Sequence, residues 1–193
     1  NDAVLEPYGG AVFGMSVCAT TSLNVLIALG FFAGLGLSGF WLIERFGNIR
    51  TARVGALLAS AALLLMLGAG AEISIPVLRA AVALFGLSLG VCMNACLTLM
   101  FSFVDPGRTG FLLGIWGAGY AYSCGLATIS GGGLLTLFQS LNGGDLFGAY
   151  SGVFALQICC FLGAALMTRQ LDVAEFRHRV KTRFNDVMEL AVD

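Results

Sequence analysis

A ten-residue charged segment, Glu44-Arg45-Phe46-Gly47-Asn48-Ile49-Arg50-Thr51-Ala52-Arg53, separates two long uncharged runs. Four of its residues are charged, whereas residues 7–43 before it and 54–71 after it contain no charged side chain. Because charged groups are costly in hydrocarbon, this segment cannot lie within the core of a bilayer. The pattern predicts a loop that joins two membrane-spanning helices at a membrane surface.

The overall composition agrees with this interpretation. The chain of 193 residues is 58% hydrophobic and 11% charged, and its mean hydropathy is +0.90. A soluble domain has about 45–50% apolar and about 25% charged residues. The chain is therefore predicted to be an all-α integral membrane protein.

Charged residues divide the chain into five uncharged windows, which are residues 7–43, 54–71, 80–104, 109–144 and 146–168. A transmembrane helix needs about 20 predominantly apolar residues, so each window is predicted to hold one helix. The first and fourth windows are longer than one helix requires. Their surplus is predicted to form interfacial turns at residues 9–16 and 137–144.

Five alternating helices distribute the ten basic residues unequally between the two sides of a membrane. Nine of them, including Arg45, Arg50, Arg53, Arg108 and those of the C-terminal region, share one side, and only Arg79 lies on the other. Basic residues accumulate in cytoplasmic loops. We therefore expect the charged segment and the C-terminus in the cytoplasm.

Glycine dominates the small residues of the windows. Three pairs spaced four residues apart are predicted to be sites of close helix packing, with room for a flat ligand as the alternative: Gly30 and Gly34, Gly86 and Gly90, Gly110 and Gly114. The glycine run at residues 131–133 predicts a bend. The six cysteines lie in apolar runs far from the only histidine, so they are predicted to pack between helices and not to bind a metal.

The C-terminal region is polar but keeps an apolar residue on one helical face. Residues 171–193 are therefore predicted to form an amphipathic helix from Asp172 onward, along the cytoplasmic surface or against a partner. This divides the chain into a transmembrane bundle at residues 1–170 and a cytoplasmic helix at residues 171–193.

The windows contain no Asp, Glu, Lys, Arg or His. Proton relays usually need such groups in the membrane, so proton-coupled transport is not expected, and no constellation predicts an enzyme. The amides Asn24, Asn94 and Gln157 remain as candidates, either bridging helices or ligating the magnesium of a chlorophyll. Trp116 and Tyr120 are candidates for an interfacial belt, a core or the wall of a pigment site.

The segment Glu6-Pro7-Tyr8-Gly9-Gly10 has two interpretations. Pro7 and the glycines predict a loop that ends a helix and leaves Glu6 in solvent. Alternatively, Glu6 and Tyr8 gate or dock a ligand at the membrane surface.

Two levels of family resemblance follow from these motifs. The combination of Glu44, Arg45, Gly47 and Arg50 resembles the loop between the second and third helices of each half of the major facilitator superfamily. The segments at residues 5–21, 105–118 and 150–158 resemble the PucC-type branch of that superfamily, which assembles light-harvesting complexes or delivers bacteriochlorophyll to them. This resemblance covers nearly the whole membrane part of the chain.

The resemblance implies that the five spans correspond to helices eight to twelve, and residues 1–4 to the last turn of helix seven. The chain is then the C-terminal half of a twelve-helix protein. Ser22, Tyr120 and Gln157 stand where the resemblance implies a polar or basic residue, a glutamine and a carboxylate, respectively. These differences favour a scaffold over a transporter. The charged segment is interpreted as an inherited clamp that holds the bundle together.

The resemblance also implies the function and partners. We expect an assembly factor or pigment-delivery scaffold for light-harvesting complexes, with bacteriochlorophyll or carotenoid bound non-covalently. Expected partners are the bilayer, antenna or reaction-centre subunits and pigment-synthesis enzymes, without nucleic acid. The alternatives are a permanent accessory subunit of a photosynthetic complex and an exporter of a small hydrophobic solute.

Overall fold

A computed structural model describes residues 2–101 and 109–168, and these residues form seven α-helices without a strand. A π-helical turn at Ser38–Leu42 joins the second helix to the third. The helices are α1 (Asp2–Phe13), α2 (Val17–Leu37), α3 (Ile43–Phe46), α4 (Asn48–Glu72), α5 (Ile75–Phe101), α6 (Thr109–Leu141) and α7 (Leu146–Met167). The predicted amphipathic helix at residues 171–193 and the basic residue Arg108 lie outside the described residues.

The prediction of five membrane-spanning helices is confirmed. Five helical segments are long and apolar enough to cross a bilayer: Val17–Phe46, Asn48–Glu72, Ile75–Phe101, Leu113–Leu141 and Leu146–Met167. The first of these runs through the π-helical turn, so α2 and α3 form one continuous span of 30 residues. Each segment exceeds the roughly 20 residues that a bilayer core requires.

The predicted helix ends were wrong in two places. Helix α1 contains Pro7 and continues to Phe13, so most of the turn predicted at residues 9–16 is helical and the chain turns only after Phe13. Pro7 lies on the exposed side of α1, away from the core. Helix α6 likewise includes residues 137–141, and the turn to α7 is confined to the next four residues.

The charged segment is a junction between helices and not the loop that was predicted. Only Gly47 interrupts the helical conformation, with φ 77° and ψ 166°. This positive φ is accessible to glycine at little cost. The carbonyl of Gly47 accepts hydrogen bonds from the backbone N–H of Thr51 at 3.1 Å and from its hydroxyl at 2.8 Å, which fixes the first turn of α4.

Helix α5 lies between α2 and α4 and packs extensively on both. Two of the predicted glycine pairs form the contact between α2 and α5, one pair on each helix. Cβ atoms added at Gly30 and Gly34 would come within 3.0 Å of the α5 backbone at Ala83 and Leu87, and Gly86 and Gly90 face the α2 backbone at Ile27 and Phe31. The packing prediction is confirmed for these four glycines.

The third pair behaves differently. Atoms added at Gly110 and Gly114 would meet nothing within 4 Å among the described residues. Their packing is therefore not observed within the described part of this chain. Helix α6 also runs unbroken through residues 131–133.

The core lies where α1, α4, α5 and α7 meet. Its largest buried side chains include Tyr8, Leu63, Met66 and Phe85. Helix α6 lies at the edge of this core, where Leu134, Leu135 and Phe138 pack against it, and among the described residues it contacts mainly α7. None of the side chains in its apolar window is buried among the described residues.

A hydrogen bond shows that the start of α4 and the end of α7 lie at the same end of the bundle. The Nε atom of Arg53, near the start of α4, donates to the hydroxyl of Thr168, directly after α7, at 3.2 Å. The sorting of Arg53 with the start of the C-terminal region is thus confirmed. At the opposite end, Asp145 caps α7 by accepting from the N–H groups of Phe147 and Gly148 at 3.2 and 3.1 Å.

Candidate functional site

Glu6 and Asn24 were singled out separately in the sequence, and the fold brings them together. The Nδ2 atom of Asn24 donates to the Oε1 atom of Glu6 at 2.7 Å, which joins α1 to α2. Asn24 lies seven residues after the start of α2, about 10 Å along that helix. Glu6 is half-buried against the span, so the prediction of a solvated Glu6 in a helix-ending loop was wrong.

This polar pair has one unsatisfied atom. The Oδ1 atom of Asn24 is buried and accepts no hydrogen bond among the described residues. A buried acceptor without a partner is destabilising, and such groups in native proteins call for an explanation. The pair therefore joins α1 to α2, and the Oδ1 atom of Asn24 has no donor among the described residues.

Tyr8 is a core residue in this structure. Its side chain is fully buried, and its hydroxyl donates to the backbone carbonyl of Met66 in α4 at 3.0 Å. Its ring makes edge contacts with Tyr150 and Phe154 of α7 at centroid distances of 5.2 and 4.9 Å. The hydroxyl lies where a Cβ atom would be if residue 70 were not glycine. Tyr8 thus connects α1, α4 and α7, and its predicted contact with a ligand stays a prediction.

Asn94 bridges two helices. Its Nδ2 atom donates to the carbonyl of Leu35 at 3.2 Å and to the hydroxyl of Ser38 at 2.8 Å. Ser38 is fully buried and begins the π-helical turn. The carbonyl of Leu35 also accepts from the backbone N–H and the hydroxyl of Ser38, so Asn94 adds a bond from a neighbouring helix to a carbonyl that is already paired. Nothing in the sequence pattern singled out Ser38.

The π-helical turn carries two exposed aromatic side chains, and a third follows it in α3. Phe40 and Trp41 are 86% and 53% exposed, and the ring of Phe46 meets Trp41 at a centroid distance of 6.4 Å. The guanidinium of Arg45 lies 5.7 Å from the centroid of the Trp41 ring. Within the predicted motif of Glu44, Arg45, Gly47 and Arg50, aromatic and basic side chains therefore combine at one end of the bundle, as at membrane interfaces.

A groove of about 440 Å³ separates α6 from α7, which is within the range of about 300–1,000 Å³ typical of small-molecule sites. Val4 of α1 contributes to one wall. The remaining lining includes Ala127, Thr128, Gly131 and Leu134 of α6 and Leu156, Gln157, Cys160 and Phe161 of α7. None of the described residues that line the groove is charged.

Gln157 is the one predicted site residue that lines this groove. Its Oε1 atom is buried and has no hydrogen-bond partner among the described residues. The hydroxyls of Thr128 and Ser130, by contrast, donate to carbonyls of their own helix at 3.0 and 3.2 Å. Gln157 is therefore the groove's unsatisfied polar side chain.

Trp116 and Tyr120 lie on α6 but do not line the groove. Tyr120 precedes Ala127 by seven residues and Trp116 precedes it by eleven, or about two and three helical turns. They therefore continue the face of α6 that borders the groove. Trp116 is half-buried and Tyr120 is 55% exposed. The fold does not bring either of them to the pair of Glu6 and Asn24.

The helices and their internal contacts define a polytopic α-helical membrane protein with an apolar groove and polar contacts between its helices. The chain belongs to the PUCC protein family, because the family model matches residues 1–176.

Comparison with curated proteins gives the same family. The chain is 32% identical to Protein PucC of Cereibacter sphaeroides over 166 residues, which cover 81% of this chain and 35% of that protein. It is 31% identical over 190 residues to a Rhodobacter capsulatus protein named bacteriochlorophyll synthase 44.5 kDa chain, covering 94% of this chain and 43% of the relative. The chain thus spans well under half the length of these relatives. No solved structure matches it significantly.

Proposed function

We propose that this protein assists the assembly of bacterial light-harvesting complexes or the delivery of pigment to them, as a lateral scaffold and not as an enzyme. Membership of the PUCC family supports this role. So does the similarity to a relative whose name refers to bacteriochlorophyll synthesis. The expected partners are antenna or reaction-centre subunits and proteins of pigment synthesis, with bacteriochlorophyll or carotenoid bound non-covalently.

Membership of the PUCC family carries this proposal, and helix α6 presents a face on which another membrane helix can pack. None of the described side chains in its apolar window is buried, and Cβ atoms added at Gly110, Gly114 or Gly117 would meet nothing within 4 Å. Helices associate in lipid where small residues let their backbones approach closely. Helix α6 is therefore suited to receive another membrane helix on its glycine-bearing face.

The proposal includes an arrangement in the membrane. The five spans take the places of helices eight to twelve of a major-facilitator-like bundle in the bacterial inner membrane, with the end that carries Arg53 and Thr168 in the cytoplasm. The bond between Arg53 and Thr168 supports a common side for the charged junction and the C-terminal region. The excess of basic residues on that side supports its cytoplasmic location.

Affinity purification from the photosynthetic host tests the proposal. The protein in its natural length carries a tag, and antenna polypeptides and pigment absorbance are measured in the purified sample. We expect both in assembly intermediates and neither in mature complexes. Equal stoichiometry in mature complexes would indicate a permanent subunit instead, and isolation without partner or pigment would contradict the proposal.

A variant pair tests the role of α6. Gly117→Leu places a bulky side chain on the glycine-bearing face, whereas Ile129→Leu changes a side chain that is 77% exposed on a different face. We expect Gly117→Leu to reduce the yield of antenna polypeptides at an unchanged membrane level of the protein, and Ile129→Leu to have no effect. Equal yields from both variants would exclude this face as the contact.

A further inference from the structure

Basic and aromatic side chains share the end of the bundle where α3 meets α4. We infer that this surface binds the headgroup of an anionic phospholipid, with guanidinium groups on the phosphate and aromatic rings against the upper part of the acyl chains. The junction surface consists of Phe40, Trp41, Arg45, Phe46 and Arg50, all of which are exposed. The inference does not depend on the proposed function, because it concerns the bilayer and not the antenna.

The arginines of the junction surface have no carboxylate partner in the described part of the chain. Arg45 and Arg50 form no ion pair with a described residue. Arg53, one turn after Arg50, donates through Nε to a hydroxyl at the end of α7. The first turn of α4 contains no acidic side chain. Three arginines and one acid, Glu44, give the charged segment a net charge of +2, which an anionic headgroup compensates.

One of these arginines is held next to aromatic rings. The guanidinium carbon of Arg45 lies 5.7 Å from the centroid of the Trp41 ring, and the plane of the Phe46 ring is at 87° to that of Trp41. A cation–π contact restricts the guanidinium without supplying a hydrogen-bond acceptor. Because the fork of a guanidinium matches two oxygens of one phosphate, Arg45 is suited to bind a phosphate group.

The depth of the junction surface favours a phospholipid over a soluble anion or an acidic protein. The span Val17–Phe46 has 30 residues and is about 45 Å long, whereas the hydrocarbon core is about 30 Å thick. Its charged end lies outside that core, so the last turns reach the headgroup layer. Exposed rings at this level contact lipid, as Trp41 does here. A phospholipid offers acyl chains to the rings and a phosphate to the arginines.

The net charge of the junction surface selects an anionic headgroup over a zwitterionic one. Phosphatidylcholine and phosphatidylglycerol both carry a phosphate, but the choline group places a second cation beside arginines that have no carboxylate partner. Phosphatidylglycerol carries no cation. Each arginine near the membrane surface is expected to favour the anionic lipid about fivefold.

Tryptophan fluorescence in lipid nanodiscs tests this inference on the protein in its natural length. The signal of Trp41 is the difference between the parent protein and Trp41→Phe. Phosphatidylglycerol with brominated acyl chains, which quench a neighbouring indole, replaces unlabelled phosphatidylcholine in steps. Brominated phosphatidylcholine is added in the same way as the reference. We expect half-quenching of Trp41 at a mole fraction of brominated phosphatidylglycerol at least about fivefold lower than that of the reference lipid.

Substitutions of arginine separate a phosphate site from diffuse attraction. Arg45→Gln and Arg50→Gln should each reduce the preference for phosphatidylglycerol about fivefold. Arg45→Lys keeps the charge but loses the fork, so it should also reduce the preference. Arg79→Gln is the matched control, because Arg79 is an exposed arginine near the start of α5, at the opposite end of the bundle, and the preference should stay unchanged. An unchanged emission maximum of Trp41 shows that each variant is folded.

Several results would overturn the inference. One is half-quenching at equal mole fractions of the two brominated lipids, and another is a preference that survives both glutamine substitutions. A preference that is unchanged in Arg45→Lys would show diffuse attraction instead of a headgroup site. The absence of quenching of Trp41 by either lipid would place the junction surface outside the bilayer and make an acidic protein its partner.

Discussion

The contact between α2 and α5 depends on four glycines, and Gly34→Ala is the sharpest test of it. The added Cβ atom would come well within 3.0 Å of the carbonyl of Leu87, whereas ordinary van der Waals contact begins near 3.4 Å. The obstacle is backbone on a packed helix and cannot rotate aside. The two helices must therefore separate by roughly 1 Å, which weakens their remaining contacts.

Two opposing terms set the expected magnitude. Forcing an extra methyl group into a packed contact costs typically about 1–3 kcal/mol, and a backbone obstacle favours the upper end of this range. Alanine gains roughly 1 kcal/mol over glycine in a helix interior. We therefore expect Gly34→Ala to lower the free energy of unfolding by about 2 kcal/mol, which is about thirtyfold in the folding equilibrium.

Reversible unfolding in mixed micelles, followed by circular dichroism as the fraction of denaturing detergent rises, measures this change. Gly114→Ala is the matched control, because it makes the same substitution on α6 where nothing lies within 4 Å. The control should be neutral or slightly more stable than the parent protein. If both variants shift the midpoint equally, the close contact between α2 and α5 does not stabilise the bundle.

The remaining predictions concern the polar contacts between helices. Tyr8→Phe should destabilise the protein by about 1 kcal/mol through loss of the bond to Met66, and it should soften the effect of Gly70→Ala, whose new methyl group meets the tyrosine hydroxyl. A double-mutant cycle measures this coupling, and strict additivity would contradict the geometry. Asn94→Leu should cost about 1–2 kcal/mol and speed amide hydrogen exchange at the π-helical turn, and unchanged exchange there would refute its bridging role. Glu6→Gln keeps an acceptor for Asn24 and should be nearly neutral in detergent unfolding, whereas Glu6→Leu should cost about 1–3 kcal/mol. Equal stability of the two Glu6 variants would show that the pair contributes nothing.

Much of the fold was predictable from the sequence. The five spans and the shared side of Arg53 and the start of the C-terminal region follow from hydropathy and charge. The exact ends of the helices were harder to predict from the sequence. Pro7 and the glycines after it predict a break, yet α1 continues to Phe13 because Leu5 and Tyr8 are buried in the core and hold the helix in place.

The candidate site was predictable only as a set of residues. Asn24, Asn94 and Gln157 were recognisable as polar groups in apolar spans, but their partners were not. Asn24 meets Glu6, Asn94 meets Ser38, and Gln157 borders the groove without a partner. These differences arise from how the helices are rotated and shifted relative to one another. The spacing of residues along a single helix does not predict that arrangement.

The sequence by itself determined that the described residues contain five helices suited to cross a membrane and that the chain belongs with PucC-type proteins, because hydropathy, charge and family motifs are properties of contiguous residues. Tertiary structure alone decided which small residues are packing sites. Gly34 and Gly90 meet opposing backbones, whereas Gly114 has the same spacing and faces open space. In lipid, apolar faces have little preference for one another, so shape complementarity between whole helices selects the pairs. That selection left most of α6 outside the core and formed the groove that Gln157 lines.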